Sequence, residues 1–124
     1  QNEYELRIDL HIDGQDFYAY SSSFKVEDEA DNYRLRLGIC IGNVGKSLCF
    51  HNDLQFSTMD RDNDPWPGHC AVEYHSGWWF RQCHRVNLNG WWGKRTPAGV
   101  TWYDGGRWVF ANYTEMKIRH MPQL

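Results

Sequence analysis

An α+β fold dominated by antiparallel β-sheet is predicted by three observations. Residues near the start of the chain alternate apolar and polar side chains with a period of two. From Gly42 onward, Gly, Asn, Asp and Pro interrupt the chain every few residues, which means loops and short elements. Four cysteines, an even number, offer ties for a half with little regular structure of its own.

The first element runs from Tyr4 to Ile12. Tyr4, Leu6, Ile8, Leu10 and Ile12 alternate with Glu5, Arg7, Asp9 and His11, the pattern of a strand with one buried and one solvated face. Asp13-Gly14 supplies a turn, and Phe17-Tyr18-Ala19-Tyr20 opens a second, aromatic strand. Phe24 and Val26 alternate before an acidic loop from Glu27 to Asp31, and Tyr33, Leu35 and Leu37 mark a third strand. The opening half is therefore expected to be an antiparallel meander. At the far end, Trp108-Val109-Phe110 and then Met116 and Ile118 return to strand alternation. No repeat or linker divides the 124 residues. One domain is expected, with a sheet part over 1–58 and a loop-rich part over 59–124 that carries the function.

Composition narrows the function. The net charge is −3 and no basic stripe exists, which argues against a nucleic-acid partner. No run of 18 apolar residues is present, so no membrane span is expected. The start Gln1-Asn2-Glu3 has neither an initiator Met nor an apolar leader and reads as a processed or trimmed end. Four cysteines and the sequon Asn112-Tyr113-Thr114 suit a secreted glycoprotein. Seven Trp and seven Tyr are either core fillers or flat surfaces for stacking a sugar or peptide.

Three constellations carry chemistry. Asp60, Asp62 and Asp64 place carboxylates at alternate positions ahead of Pro65, Pro67 and Gly68. Hard oxygen ligands in such a loop suit Ca²⁺, and the prolines leave carbonyls free to face a cation. Pro65 and Ala71 stand where an EF-hand needs Gly and Glu, so that motif is excluded. A solvated acidic turn is the duller alternative. Cys70 and Cys83 allow a disulfide, a zinc site with His69 and His84, or a Cys–His nucleophile. Cys40 and Cys49 flank the turn Gly42-Asn43-Val44-Gly45 and either bridge it across a hairpin or remain buried thiols.

The quoted segments resemble the fibrinogen-like domain of fibrinogen, ficolins and tachylectins. Phe56-Ser57-Thr58 with Asp60–Asp64, Cys70-Ala71-Val72-Glu73-Tyr74, Gly77 through His84, and Thr114-Glu115-Met116-Lys117-Ile118-Arg119 follow its motifs, as does Asn2-Glu3-Tyr4-Glu5-Leu6-Arg7. The resemblance implies a twisted sheet with short helices and a calcium-stabilised loop region. It implies Ca²⁺ held by Asp62, Asp64 and the carbonyls of Trp66 and Gly68, with Asp60 behind them. It implies a Cys70–Cys83 disulfide and no enzymatic activity. Cys40 and Cys49 depart from the family pattern and are expected to form an extra disulfide.

In ficolin-like members an acetyl group sits beside the second cysteine, where the preceding peptide bond is often cis. Carried over, that bond is Gln82–Cys83. The N–H groups of Cys83 and His84 would be the donors, and Tyr74 would line the pocket. His84 and Tyr74 have structural alternatives, an imidazole bonded to a carbonyl and a core ring. Fibrinogen's peptide hole has an acid at the position of Tyr74, so Tyr74 favours acetylated glycans over a peptide N-terminus.

The segment Trp91–Trp102 is shorter than in the family and lacks the tyrosine that closes the pocket. Trp91 or Trp92 is the candidate replacement wall, although the family's structural aromatic at Trp92 implies inward packing. The family's N-terminal portion has no counterpart here, so a fragment or natural short form is expected. The implied function is that of a secreted, calcium-dependent innate-immune lectin, made multivalent through oligomerising segments outside this chain. The alternative is a protein- or peptide-binding module.

Overall fold

The computed structural model describes residues 3–121; the pair Gln1-Asn2, part of the resemblance at the start, lies outside them. Strand β1 (Tyr4–Ile12) turns at Asp13-Gly14 into β2 (Gln15–Val26). Both turn residues have positive φ, 51° and 79°, matching the two-residue turn that suits twisted strands. The pairing runs from Ile12↔Gln15 to Leu6↔Ser21 and shifts at a bulge before Tyr4↔Phe24. Leu6, Ile8, Leu10 and Ile12 are all buried, as their alternation requires.

Strands β3 (Leu35–Leu37) and β4 (Cys40–Gly42) both pair antiparallel with β2, so the meander forms. Its third strand is shorter than the alternation suggests. Tyr33 has φ 57° and its side chain is exposed, so the strand starts only at Leu35. The structure then places β8 (Tyr113–His120) against the free edge of β1, completing the order β3-β2-β1-β8. Met116 and Ile118 pair with the buried Ile8 and Leu6, yet they stay 40% and 52% exposed because β8 is the edge strand. Charged neighbours guard that edge: Lys117 bonds Asp9 and Arg119 bonds Glu5.

The remainder is loop with a short helix α1 (Cys70–Glu73) and a three-stranded sheet of β5 (Val86–Asn87), β6 (Thr101–Tyr103) and β7 (Trp108–Phe110). One apolar cluster joins both parts, with Trp78, Phe80 and Trp102 packed into the same core as Leu6 and Leu10. Two disulfides add ties. Cys40–Cys49, with a Cα–Cα distance of 6.1 Å, does not bridge a hairpin as its flanking turn suggests. It fastens β4 to the 3-10 turn Ser47–His51, because Val44 and Leu48 dive into the core between them.

Candidate functional site

The acidic loop is built by its own side chains. Ser57 and Trp78 exchange backbone hydrogen bonds at 2.9 and 3.1 Å, anchoring the loop's entry to the core. The Asn63 amide N–H donates to Ser57 Oγ at 2.9 Å, and Asn63 Nδ2 donates to the Phe56 carbonyl at 2.8 Å. Asp60 turns aside to accept from the Thr58 hydroxyl. Asp64 reaches across the loop, accepting from the Trp66 amide at 3.0 Å and from the Cys70 amide at 3.1 Å. The loop is thereby attached to the first turn of α1. The Trp66 ring crosses Gly68 so closely that a Cβ there would meet it, and the ring would have to shift.

Asp62, Asp64 and His69 bring ligand atoms within 4.8 Å of one another. Burial, with the adjacent Asp62 carboxylate second, raises the Asp64 carboxyl above its usual value. His69 Nδ1 is buried and has no hydrogen-bond partner among the described residues. The exposed Asp62 and half-buried Asp64 carboxylates form an oxygen-rich corner beside the unpartnered His69 Nδ1. That donor set fits a hard divalent cation. The alternative use of His69, as a zinc ligand beside Cys70 and Cys83, is excluded because both sulfurs are joined in a disulfide with a Cα–Cα distance of 5.5 Å. The same bond removes Cys83 as a nucleophile.

Beyond α1, Tyr74, Gln82, Cys83, His84, Pro97 and Trp108 line an open depression of about 250 Å³. The Gln82–Cys83 peptide is cis. Neither the Cys83 nor the His84 amide N–H finds an acceptor among the described residues. The walls are aromatic. Tyr74 and His84 meet edge to face at 4.7 Å between centroids, and His84 meets Trp108 in the same way at 5.4 Å. His84 Nε2–H donates to the Pro97 carbonyl at 2.8 Å, so its ring is both wall and brace.

Behind this depression sits His51, fully buried, a position that no local sequence signal marks. Its Nδ1–H donates to the Trp79 carbonyl at 2.8 Å, and its Nε2 accepts from the amides of Arg85 and Val86 at 3.1 Å each. One neutral imidazole thus ties the 3-10 turn, the Trp78-Trp79 segment and the start of β5 together. Burial lowers its pKa to about 3 and that of the half-buried His84 to about 4.

Between pH 6.5 and these values the unfolded chain takes up protons that the folded chain refuses. Stability is therefore fully present above pH 6.5 and falls as pH drops towards 4. His51 alone accounts for about 2–3 kcal/mol of that loss at pH 4.5. Urea unfolding at pH 7.0, 5.5 and 4.5 is expected to show the midpoint falling throughout; a flat profile over this window would refute the assignment.

Trp108 is the site residue that strand alternation hides. Its only sequence signal is that β7 carries bulky aromatics on both sides of buried Val109, leaving a 44% exposed indole on the solvated face. Neither Trp91 nor Trp92 lines the depression. Trp91 stacks on His75, with rings 4.1 Å apart and 9° from parallel. Trp92 does not pack inward but is 62% exposed, because Gly93 at φ 77° carries the chain round a surface turn. Asn112 is exposed in the connection between β7 and β8.

This fold and this loop arrangement define a class of binding domain. The family model described as "Fibrinogen beta and gamma chains, C-terminal globular domain" matches residues 1–121, and the chain belongs to that family. Such domains are generally non-enzymatic binding modules. The chain is 44% identical to rat Tenascin-R over 122 residues, covering 96% of this chain and 9% of that protein. It superposes on the fibrinogen-like globe domain of human ANGPTL2 with a TM-score of 0.91 and 37% identity, over 98% of this chain and 60% of that one. The lamprey fibrin D-dimer complexed with the peptide Gly-His-Arg-Pro-amide gives a TM-score of 0.84 at 33% identity, over 95% and 45% of the two chains. Each of these relatives is longer than the present chain.

Proposed function

We propose that this chain is an extracellular recognition module that takes an acetylated glycan at the Tyr74–Trp108 depression, supported by Ca²⁺ in the neighbouring acidic loop. The observation that carries the reading is the lining itself. Tyr74, Gln82, Cys83, His84, Pro97 and Trp108 include no carboxylate, and His84 is neutral at physiological pH. A peptide α-ammonium would find no counter-charge there. A neutral acetamido group would find aromatic walls for its methyl and two unengaged amide N–H groups, those of Cys83 and His84, for its oxygen.

Asp62 and Asp64, with the carbonyls of Trp66 and Gly68, would hold Ca²⁺, which supplies positive charge to neutralise the loop and fix it. The ion would act at a distance. The Asp64–Cys70 hydrogen bond joins the loop to α1, and Cys70 is bonded to Cys83 in the depression. A single shallow site binds weakly, so useful avidity would come from several copies presented together. A secreted lectin of innate immunity is the role this chemistry suits best, and the two disulfides fit an oxidising compartment.

A peptide-binding role is the second reading, favoured by the structural match to the peptide-bound lamprey fibrin. Calorimetric titration with N-acetylglucosamine, in calcium and then in excess chelator, separates the two when repeated with Gly-His-Arg-Pro-amide. Saturable sugar binding that disappears with chelator supports the proposal. Binding of the peptide alone identifies the second reading. Asp62→Ala is expected to weaken calcium and sugar binding together, each by about tenfold or more. Unchanged sugar affinity in that variant would show that ion and depression are uncoupled.

A further inference from the structure

A second cleft, sharing no residue with the Tyr74–Trp108 depression, opens beside the sequon. It has a volume of about 250 Å³ and is lined by Asp13, Trp92, Lys94, Arg95, Phe110 and Asn112, among others. Its composition is that of a surface that holds a sugar ring. Trp92 presents an indole that is 62% exposed, the flat apolar face on which a pyranose stacks. Asp13, Lys94 and Arg95 surround it with an acceptor and donors for hydroxyl groups.

Neither cation forms an ion pair among the described residues. Arg95 instead lies over the Phe110 ring at 5.0 Å, and Lys94 sits 6.0 Å from the Trp91 ring. The cleft also contains the one side chain in it that can bear a sugar covalently. The backbone of Asn112 is fixed, its N–H donating to the His11 carbonyl at 2.9 Å. Its carboxamide has no hydrogen-bond partner among the described residues.

We propose that Asn112 carries an N-linked glycan and that its first N-acetylglucosamine lies in this cleft, against Trp92. The attachment requires a lipid-diphosphate-linked oligosaccharide as donor, the standard reagent of a secretory pathway. A bond forms between Asn112 Nδ2 and the anomeric carbon of the donor. The bond from that carbon to the diphosphate oxygen breaks, the lipid diphosphate leaves with its electron pair, and the amide loses one proton. Thr114, half-buried on β8, completes the sequon. Seating the sugar covers the exposed indole and gives the Asp13, Lys94 and Arg95 side chains partners. The modified Trp92 face is then an internal glycan contact, closed to outside ligands, and this holds whatever the Tyr74–Trp108 depression binds.

The test uses the chain secreted from animal cells. Intact-mass measurement before and after enzymatic deglycosylation is expected to place a glycan at Asn112 and to lose it in both Asn112→Gln and Thr114→Ala. Hydroxyl-radical footprinting then reads Trp92 directly. Its oxidation is expected to be at least threefold slower in the glycosylated protein than after complete deglycosylation, with Trp108 unchanged. Trimming the folded glycoprotein to a single N-acetylglucosamine is expected to leave that protection intact. An unmodified Asn112, or a modified protein whose Trp92 oxidises at the unprotected rate, would overturn the proposal.

Discussion

Replacing His51 with leucine is expected to lower the free energy of unfolding by about 3–5 kcal/mol, out of all proportion to a surface histidine. Leucine fills much of the same volume, so the loss is not mainly a cavity. It comes from three backbone groups left without partners in a buried setting: the Trp79 carbonyl and the amides of Arg85 and Val86. Each such group costs about 1–3 kcal/mol when stranded. Urea unfolding at pH 7 measures the effect. The same variant is expected to roughly halve the decline in stability between pH 6.5 and 4.5, leaving the share that belongs to His84. A loss below about 1 kcal/mol, with the pH slope intact, would mean that His51 is a passive filler and that the slope belongs to other groups.

The position of His51 shows where sequence reasoning stops. The β1–β2 hairpin is legible because both its causes are local: side chains alternate with period two, and Asp13-Gly14 accepts positive φ at both central positions. The closeness of Asp62 and Asp64 is legible for a similar reason, since the two carboxylates lie within a few residues of each other. Other features depend on pairing across the chain. Met116 and Ile118 read as a strand, but nothing near them announces that they pair with Ile8 and Leu6 more than a hundred residues earlier.

The fate of Tyr33 was hidden too, because its left-handed backbone follows from Asn32, which also has positive φ, ending a 3-10 turn (Glu29–Asp31). The places of Trp92 and Trp108 depend on features that no local pattern shows. The surface turn at Gly93 throws Trp92 outward, while β7 pairs with β6 in a register that puts Trp108 opposite Tyr103 and beside His84. An indole's apolar bulk gives no indication by itself of which side of a short strand it will occupy.

That register makes Trp108→Ala the sharpest test of the depression. The substitution is expected to reduce affinity for an acetylated sugar by about 10- to 100-fold, equivalent to about 1.4–2.7 kcal/mol. Trp108 is already 44% exposed, so its removal opens little buried volume and stability should fall by well under the loss in binding. Tyr74→Ala is expected to act in the same direction from the opposite wall, and both variants should bind Ca²⁺ as the parent does, because neither touches Asp62 or Asp64. The two effects should not add. Each ring packs on one edge of His84, at 4.7 and 5.4 Å, so removing either frees the imidazole between them. Trp92→Ala supplies the control, being as bulky and more exposed but absent from the lining. If Trp92→Ala abolished sugar binding and Trp108→Ala did not, recognition would lie on the other face of the 91–99 loop. The neutral, aromatic-walled depression would then be a feature of packing alone.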